Sequence, residues 1–341
     1  MRQLNKLTKI NQRDVTKMKC QICGSKKVIK KYSNFPVYMD KTSYDIFECH
    51  SCDTQFIETK NIDKKIYEII YSQEDTPGYD RYFKYMKEIK KQKNPLKYLY
   101  QKESIYFPVY EYLKDKPKLK ILEVGCGNGY LSYSLNFLGH SVIGIDISKE
   151  AIKLATSQFG NYFVASDLKD YKTDVKFDLI ISTEVIEHIQ NPNKFISHCV
   201  NLLKDTGKIL LTTPNKDYQN KKAIWKTESP PVHTFWFSKK SFKTIAKKYG
   251  LNYKFVNPQK PISCSQNKLS CFILSRNNRL PLPILDKNGK PFQEREKISN
   301  SFFRVIARKF LDWTPIRYTS NLFMIKSEPP HLGVLLGKKF R

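Results

Sequence analysis

The sequence predicts an α/β fold: a mostly parallel sheet sandwiched between helices, with a small cysteine-bearing module ahead of it. Three observations predict this. From Leu119 onward, short apolar runs alternate with helical stretches, the pattern of βαβ units. The runs are nearly continuous in apolar residues, as strands buried on both faces must be. Nearer the N-terminus, two C-x-x-C pairs stand in a stretch that alternates in strand fashion.

In chain order, residues 1–18 are a polar, basic lead. Met1–Lys31 carries ten Lys/Arg and one Asp but no apolar run, so it does not read as a secretory signal. No run of 18 apolar residues exists anywhere, which excludes a spanning helix, and a cytoplasmic protein is expected. Residues 19–60 hold Cys20-x-x-Cys23 and Cys49-x-x-Cys52, with 25 residues between the pairs. Without a secretory signal, paired thiols point to a metal rather than to disulfides. Two such knuckles on adjacent hairpins supply four thiolates in tetrahedral geometry, a closed structural zinc site. The long spacing suits a zinc ribbon with strands between the pairs, and Gly24 suits a knuckle turn. Residues 61–118 are charged and Tyr-rich and read as helices broken at Pro95, Pro108 and Pro117, a connecting or substrate-capping region.

Residues 119–275 are expected to form the core. The strand-like runs are Leu119–Val124, Ser141–Asp146, Tyr162–Ala165, Phe177–Ser182 and Gly207–Thr213; helices are expected at Tyr130–Leu138, Lys149–Gln158 and Asn193–Leu203. A loop then runs from Pro214 to Phe237, followed by a helix at Lys239–Tyr249 and a strand at Leu251–Val256. Residues 276–341 are expected to be a helical extension. Leu269–Ser275 and Asn321–Lys326 both look like strands. Ser301–Trp313 reads as a helix with Phe302, Ile306, Phe310 and Trp313 on one face, fit to pack as a substrate lid or to touch a lipid surface.

The most informative stretch is Ile121-Leu-Glu-Val-Gly-Cys-Gly-Asn-Gly-Tyr130. A buried strand runs into Gly125, Gly127 and Gly129, then into a helix; glycines there let the backbone turn sharply and approach a ligand closely. The spacing is G-x-G-x-G, neither the dinucleotide fingerprint nor a P-loop. Glu123, two residues before the first glycine, suits a cationic ligand and no pyrophosphate. The next strand ends in Asp146, 17 residues beyond Gly129, where a carboxylate can accept both hydroxyls of a ribose.

These residues resemble the class I S-adenosylmethionine-dependent methyltransferase family, and the likeness continues in order through about residue 256. Ala165-Ser-Asp-Leu168 resembles the third-strand end. Phe177-Asp-Leu-Ile-Ile-Ser-Thr-Glu-Val-Ile-Glu-His-Ile189, with its E-x-x-E-H run, resembles the fourth strand of the small-molecule and ubiquinone-type O-methyltransferase branch. Gly207-Lys-Ile-Leu-Leu-Thr-Thr-Pro-Asn215 resembles the fifth. The resemblance implies a Rossmann-like, mostly parallel seven-stranded sheet with an antiparallel last strand, for which Asn321–Lys326 is the better of the two candidates. It implies that Gly125, Cys126, Gly127 and Gly129 pass under the methionine part of the cofactor and that Glu123 acts through this loop on the methionine amine. Asp146 would hold the ribose, Ile147, Asp167 and Leu168 the adenine, and Thr183 would lie against the cofactor.

An O-methyltransferase needs a base for a hydroxyl, and His is the usual choice near neutral pH. His188, expected to begin the helix after the fourth strand, and His233, in the loop Ser229-Pro-Pro-Val-His-Thr-Phe-Trp-Phe-Ser238, are the candidates, with Glu184 beside them. The fourth strand ends in Ser182-Thr-Glu-Val185, unlike the D/N-P-P-Y/F of base-amine methyltransferases. A sugar, glycan or other small-molecule hydroxyl is therefore the expected acceptor. Lys+Arg is 60 against Asp+Glu 32, a formal net charge of +28, which favours an anionic acceptor, nucleotide- or lipid-linked. The same charge, with a zinc ribbon, leaves an RNA methyltransferase as the alternative.

Overall fold

The computed structural model describes residues 18–39, 43–58, 80–218, 228–257, 285–286, 290 and 329–338. Its strands are β1 (Val28–Pro36), β2 (Ser43–Cys49), β3 (Gln55–Phe56), β4 (Lys120–Val124), β5 (Ser141–Asp146), β6 (Phe163–Ala165), β7 (Phe177–Thr183), β8 (Leu203–Pro214), β9 (Phe235–Trp236), β10 (Asn252–Phe255) and β11 (His331–Gly337). Its α-helices are α1 (Asp80–Glu88), α2 (Pro95–Lys102), α3 (Phe107–Leu113), α4 (Tyr130–Phe137), α5 (Lys149–Phe159), α6 (Pro192–Leu202) and α7 (Lys239–Lys248).

The large sheet runs in the order β10-β11-β8-β7-β4-β5-β6. The pairs β4/β5, β5/β6, β4/β7 and β7/β8 are parallel, and β11 lies antiparallel between β8 and β10. This is the expected mostly parallel seven-stranded sheet. Successive residues of a strand face opposite sides, and the sheet obeys that rule throughout. Leu122, Ile180, Ile209 and Leu211 face the layer of α6 and α7, whereas Ile121, Leu179, Ile181 and Leu210 face α1–α4. Helix starts follow local chemistry. Ser148 caps α5 through Ala151 N, Asn191 caps α6 ahead of Pro192, and Ser238 and Ser241 form a capping box on α7.

Three expectations are corrected. The antiparallel strand is His331–Gly337, not Asn321–Lys326; the latter, Leu269–Ser275 and Ser301–Trp313 all lie outside the described residues. Glu187 and His188 do not begin a helix: they lie in a single 3₁₀ turn, Ile186–His188, and α6 starts at Pro192. The strand expected at Gly207–Thr213 is longer and begins at Leu203, where α6 was expected to end.

The second sheet, β1-β2-β3-β9, is antiparallel. Its first three strands come from the cysteine-bearing region. The fourth, β9, comes from the loop between β8 and α7, with Gln55 opposite Trp236 and Phe56 opposite Phe235. Ile22, Phe47 and Phe56 share one apolar core with Phe235, Phe242 and Ile245. The small sheet is thus built onto the end of the large one.

Candidate active site

The C-terminal ends of β4, β5, β6 and β7 open into one cavity of about 1420 Å³. Strand ends of a parallel sheet are where such folds place ligands. Gly125 has φ +78°, and a Cβ there would stand 2.4 Å from Val185 Cγ2, so only glycine lets the β4 loop pass the β7 loop. Gly127 has φ +48° and nothing within 4 Å of a would-be Cβ; its bare backbone faces open space in the cavity wall.

Two carboxylates frame this loop. Glu123 is 2% exposed and accepts a hydrogen bond from Ser132 Oγ at 2.5 Å; burial pushes its carboxyl up to about 8, and Asp146 adds to the rise. Asp146 accepts Gly127 N and Ser148 N, each at 2.9 Å, on separate oxygens. Burial raises its pKa against these two bonds, and each oxygen retains a second lone pair for a ligand. Ile147 is 66% exposed at the mouth, and Leu168 is buried. Asp167 is exposed, accepts Lys169 N and pairs with Lys169 Nζ at 3.5 Å. Cys126 turns its side chain inward: a Cβ on Gly144 would sit 3.0 Å from its Sγ, so it meets the cavity chiefly through backbone.

The other end of the cavity is built from the β7 exit, Glu228 and His233 ahead of β9, α1 and β11. Glu184 takes φ 55°, the left-handed region, held by its N–H to Thr212 O at 3.0 Å. Strained backbone of this kind collects at functional sites. Glu187 is 1% exposed; Oε2 accepts Thr213 Oγ1 at 2.9 Å, Oε1 has no hydrogen-bond partner, and burial pushes its carboxyl up to about 8. His188 Nδ1 lies 2.6 Å from Val232 O; a carbonyl only accepts, so Nδ1 carries the proton, and the ring also interacts with the Glu184 backbone. Burial lowers His188 to about 4 and His233 well below its ordinary value, so both rings are neutral. The rings meet edge-on, 4.6 Å between centroids, and His233 Nδ1 is buried without a partner. The two histidines expected from sequence, separate there, are therefore one unit with Glu187.

One ligand atom from each of Glu187, His188 and His233 lies within 4.8 Å of the others. Two imidazoles and a carboxylate suit a divalent transition metal with open positions. In the small sheet, Cys20, Cys23, Cys49 and Cys52 meet the same criterion, with Cys20–Cys52 and Cys23–Cys49 sulfurs 3.5 Å apart. Thiolates about 2.3 Å from a common centre stand roughly 3.8 Å apart, whereas a disulfide needs about 2.05 Å. The hydrogen bond from Cys20 holds the Cys52 thiol down at about 5 against its burial. The four sulfurs fit a tetrahedral metal.

The family profile described as a methyltransferase domain matches residues 98–254, the span that carries the glycine loop, Asp146 and the histidine unit. Residues 98–254 are a class I methyltransferase domain. A ubiquinone biosynthesis O-methyltransferase of Pelagibacter ubique is 39% identical over 133 residues, covering 36% of this chain and 54% of its own. The mitochondrial enzyme of that name from Rattus norvegicus is 34% identical over 152 residues, 42% of this chain and 41% of its own. The chain spans about half the length of the curated relatives it matches. The solved plantazolicin methyltransferase BpumL in complex with SAH is 17% identical, with a TM-score of 0.42 over 81% of this chain and 98% of that one.

Several wall residues of the methyltransferase domain's cavity were not visible as site residues in sequence. Arg81 pairs with Glu103 at 2.7 Å and lies over the Tyr82 ring; Tyr82 stacks on Tyr130, whose hydroxyl meets that of Tyr106 at 2.7 Å. Glu228 and His331 complete the wall, His331 Nε2 lying 3.8 Å from Glu184. Only Tyr130, directly after the glycine loop, carried a signal. The other wall residues stand about 20 to 50 residues earlier or about 100 and 200 residues later, with no motif around them.

Proposed function

We propose that the protein is an S-adenosylmethionine-dependent O-methyltransferase acting on a hydroxyl of a sugar, glycan or other small molecule. The observation that carries this is a single cavity holding a glycine loop framed by Glu123 and Asp146 at one end and the Glu187–His188–His233 unit at the other. The ubiquinone-pathway names of the relatives support an oxygen acceptor.

When bound, S-adenosylmethionine supplies an electrophilic methyl group. Asp146 takes the ribose hydroxyls, Glu123 stabilises the ammonium end through the loop, Ile147, Asp167 and Leu168 enclose the adenine side, and Thr183 lies against the cofactor. The domain's main contribution is orientation. At the far end, a neutral His accepts the acceptor's hydroxyl proton. His233, whose buried Nδ1 has no hydrogen-bond partner, is the ring best placed for this, with His188 packed edge-on against it, and Glu187 stabilises the imidazolium that forms.

The wall also bears on the acceptor. Glu184, Glu187 and Glu228 line it, each with a buried carboxylate oxygen lacking a hydrogen-bond partner, and Arg81 is paired with Glu103. Burial raises all three carboxyls toward their protonated forms, so they offer an anionic group no counter-charge, whereas hydroxyls hydrogen-bond to them and lie flat on tyrosine. The reacting end of the acceptor is thus a neutral polyol or aromatic diol, despite the basic surface. The proximity of the three ligand atoms favours a second reading, in which Glu187, His188 and His233 hold a divalent cation that acidifies the hydroxyl. The four cysteines, in either case, hold structural zinc.

Calorimetric titration with S-adenosylmethionine, beside Asp146→Ala, tests the cofactor reading. Micromolar binding weakened at least about tenfold in the variant is expected. A folded wild type that shows no binding overturns it. Transfer abolished by a chelator and restored by one added divalent metal, with the zinc at the four cysteines retained throughout, would select the cation reading over the general base.

A further inference from the structure

We propose that the four-cysteine centre positions the acceptor side of the cavity. A metal ion held by Cys20, Cys23, Cys49 and Cys52 keeps residues 229–238, and with them His233, seated against Glu187 and His188. This rests on the zinc reading above and on the reading of the cavity.

Among the described residues, none from 18–58 lines the cavity, so the cysteine module touches no ligand there. It reaches the acceptor side through residues 229–238, while Asn193 at the start of α6 separately donates to Gln21 O and Ile22 O of the first cysteine pair. β3 pairs with β9, immediately after His233 and Thr234. Ile57 N donates to Thr234 O at 3.0 Å, and Tyr38 N to Pro230 O at 2.8 Å. From the other side, Thr234 N and Thr234 Oγ1 both donate to Glu187 O, at 2.8 and 2.9 Å. Thr234 is thus clamped between the small sheet and the turn carrying Glu187 and His188. His233 is its neighbour.

A buried polar relay ties this clamp to the metal ligands. Cys52 Sγ lies 3.2 Å from Thr54 Oγ1, which donates to Ser241 Oγ at 2.8 Å. Ser241 Oγ contacts Cys52 O at 3.3 Å and accepts Ser238 N at 3.0 Å, closing the cap of α7 just beyond β9. The sheet that makes these contacts is small. β3 and β9 have two residues each, too few to persist unaided. A structural metal supplies folding free energy to such a module.

The cofactor side is anchored differently. Gly125 N and Cys126 N donate to Ile145 O, and Gly127 N to Asp146, all within the parallel sheet. Loss of the metal should therefore release His233 and spare cofactor binding. Thr54, which touches both Cys52 and Ser241, is a positioning residue of this device.

The test uses the full chain and its own histidines. Zinc content is measured, and carbethoxylation by diethyl pyrocarbonate is followed residue by residue by mass spectrometry. His233 is the reporter. His140, 6% exposed and hydrogen-bonded to Leu119 N on the far side of the sheet, is the internal control. The wild type should carry one zinc, because the four thiols make one site. In zinc-free Cys52→Ser, His233 should react about tenfold faster or more while His140 stays unchanged, the mark of a local opening. S-adenosylmethionine affinity should stay within about threefold, as for an independent site. Thr54→Val keeps all four thiols, so it serves if Cys52→Ser does not fold: zinc is retained and His233 reactivity rises several-fold. A wild type without zinc overturns the proposal. So does His233 equally protected in zinc-free protein or in Thr54→Val, or His140 exposed in step with it. The ratio of the two histidines needs no cofactor. A wild type that binds no S-adenosylmethionine would therefore overturn the cofactor reading while this comparison still decides the positioning role.

Discussion

Glu123 shows how much of the site lies in single residues. Its carboxyl sits at about 8 in the fold against 4.5 ordinarily, so the folded chain holds a proton that the unfolded chain gives up. The resulting stability is complete below about pH 4.5 and is lost as the pH rises through 8, at no more than about 1.4 kcal/mol per pH unit for this one group. Melting curves of cofactor-free protein between pH 5 and 8.5 should fall with pH, less steeply in Glu123→Gln; an identical slope in the variant would contradict the assignment. Gly125→Ala places a methyl 2.4 Å from Val185 Cγ2 at a left-handed backbone position. It should cost about 1–3 kcal/mol in thermal stability and weaken cofactor binding, with partial recovery in Gly125→Ala/Val185→Ala. His233→Gln should lower kcat by about 10²-fold or more on an acceptor found by screening, with cofactor affinity intact. These residues were legible because each stands in a short motif whose spacing follows from one strand and one turn. Arg81, Tyr82 and His331 were not, since their roles arise only when distant elements fold together.

At the scale of elements, the sequence located most strands and helices of the methyltransferase domain to within a few residues. Continuous apolar runs such as Ser141–Asp146 allow little else, and caps such as Ser148 and Asn191 mark where helices begin. The last core strand was missed. His331–Gly337 contains Gly333 and Gly337, which read as turn residues. In the fold, Gly333 is required by packing: a Cβ there would meet Pro108 at 2.3 Å. The fourth strand of the small sheet was missed for another reason. Two residues, Phe235 and Trp236, carry no periodicity, and their pairing is with a segment far away in sequence. The capping box of α7 lends itself to measurement. Ser238→Ala removes the side-chain bond to Ser241 N and should lower stability by about 1 kcal/mol, read as a drop in Tm.

For the whole molecule, the net charge of +28 and the acid-lined cavity point in opposite directions. The surface charge describes the solvated exterior, whereas the cavity wall carries a few buried carboxyl groups. The small sheet, α7 and one face of the large sheet share one apolar core, so the metal-loaded chain should unfold as a single cooperative unit. Urea unfolding followed by Trp236 fluorescence, with Trp225 and Trp313 replaced by Phe, should coincide with far-UV circular dichroism. In zinc-free protein the Trp236 transition should come first. Coincident transitions in both forms would show that the metal couples nothing.

The borrowed strand β9 also sets an order of events during synthesis. All four cysteines are made by residue 52, yet the strand that completes their sheet follows about 180 residues after Phe56. At ~5–20 residues per second that is a wait of roughly ten to forty seconds. During that interval the nascent module has its thiols assembled and one edge open. On the proposed role of the four cysteines, capture of an ion would therefore precede the birth of the cavity.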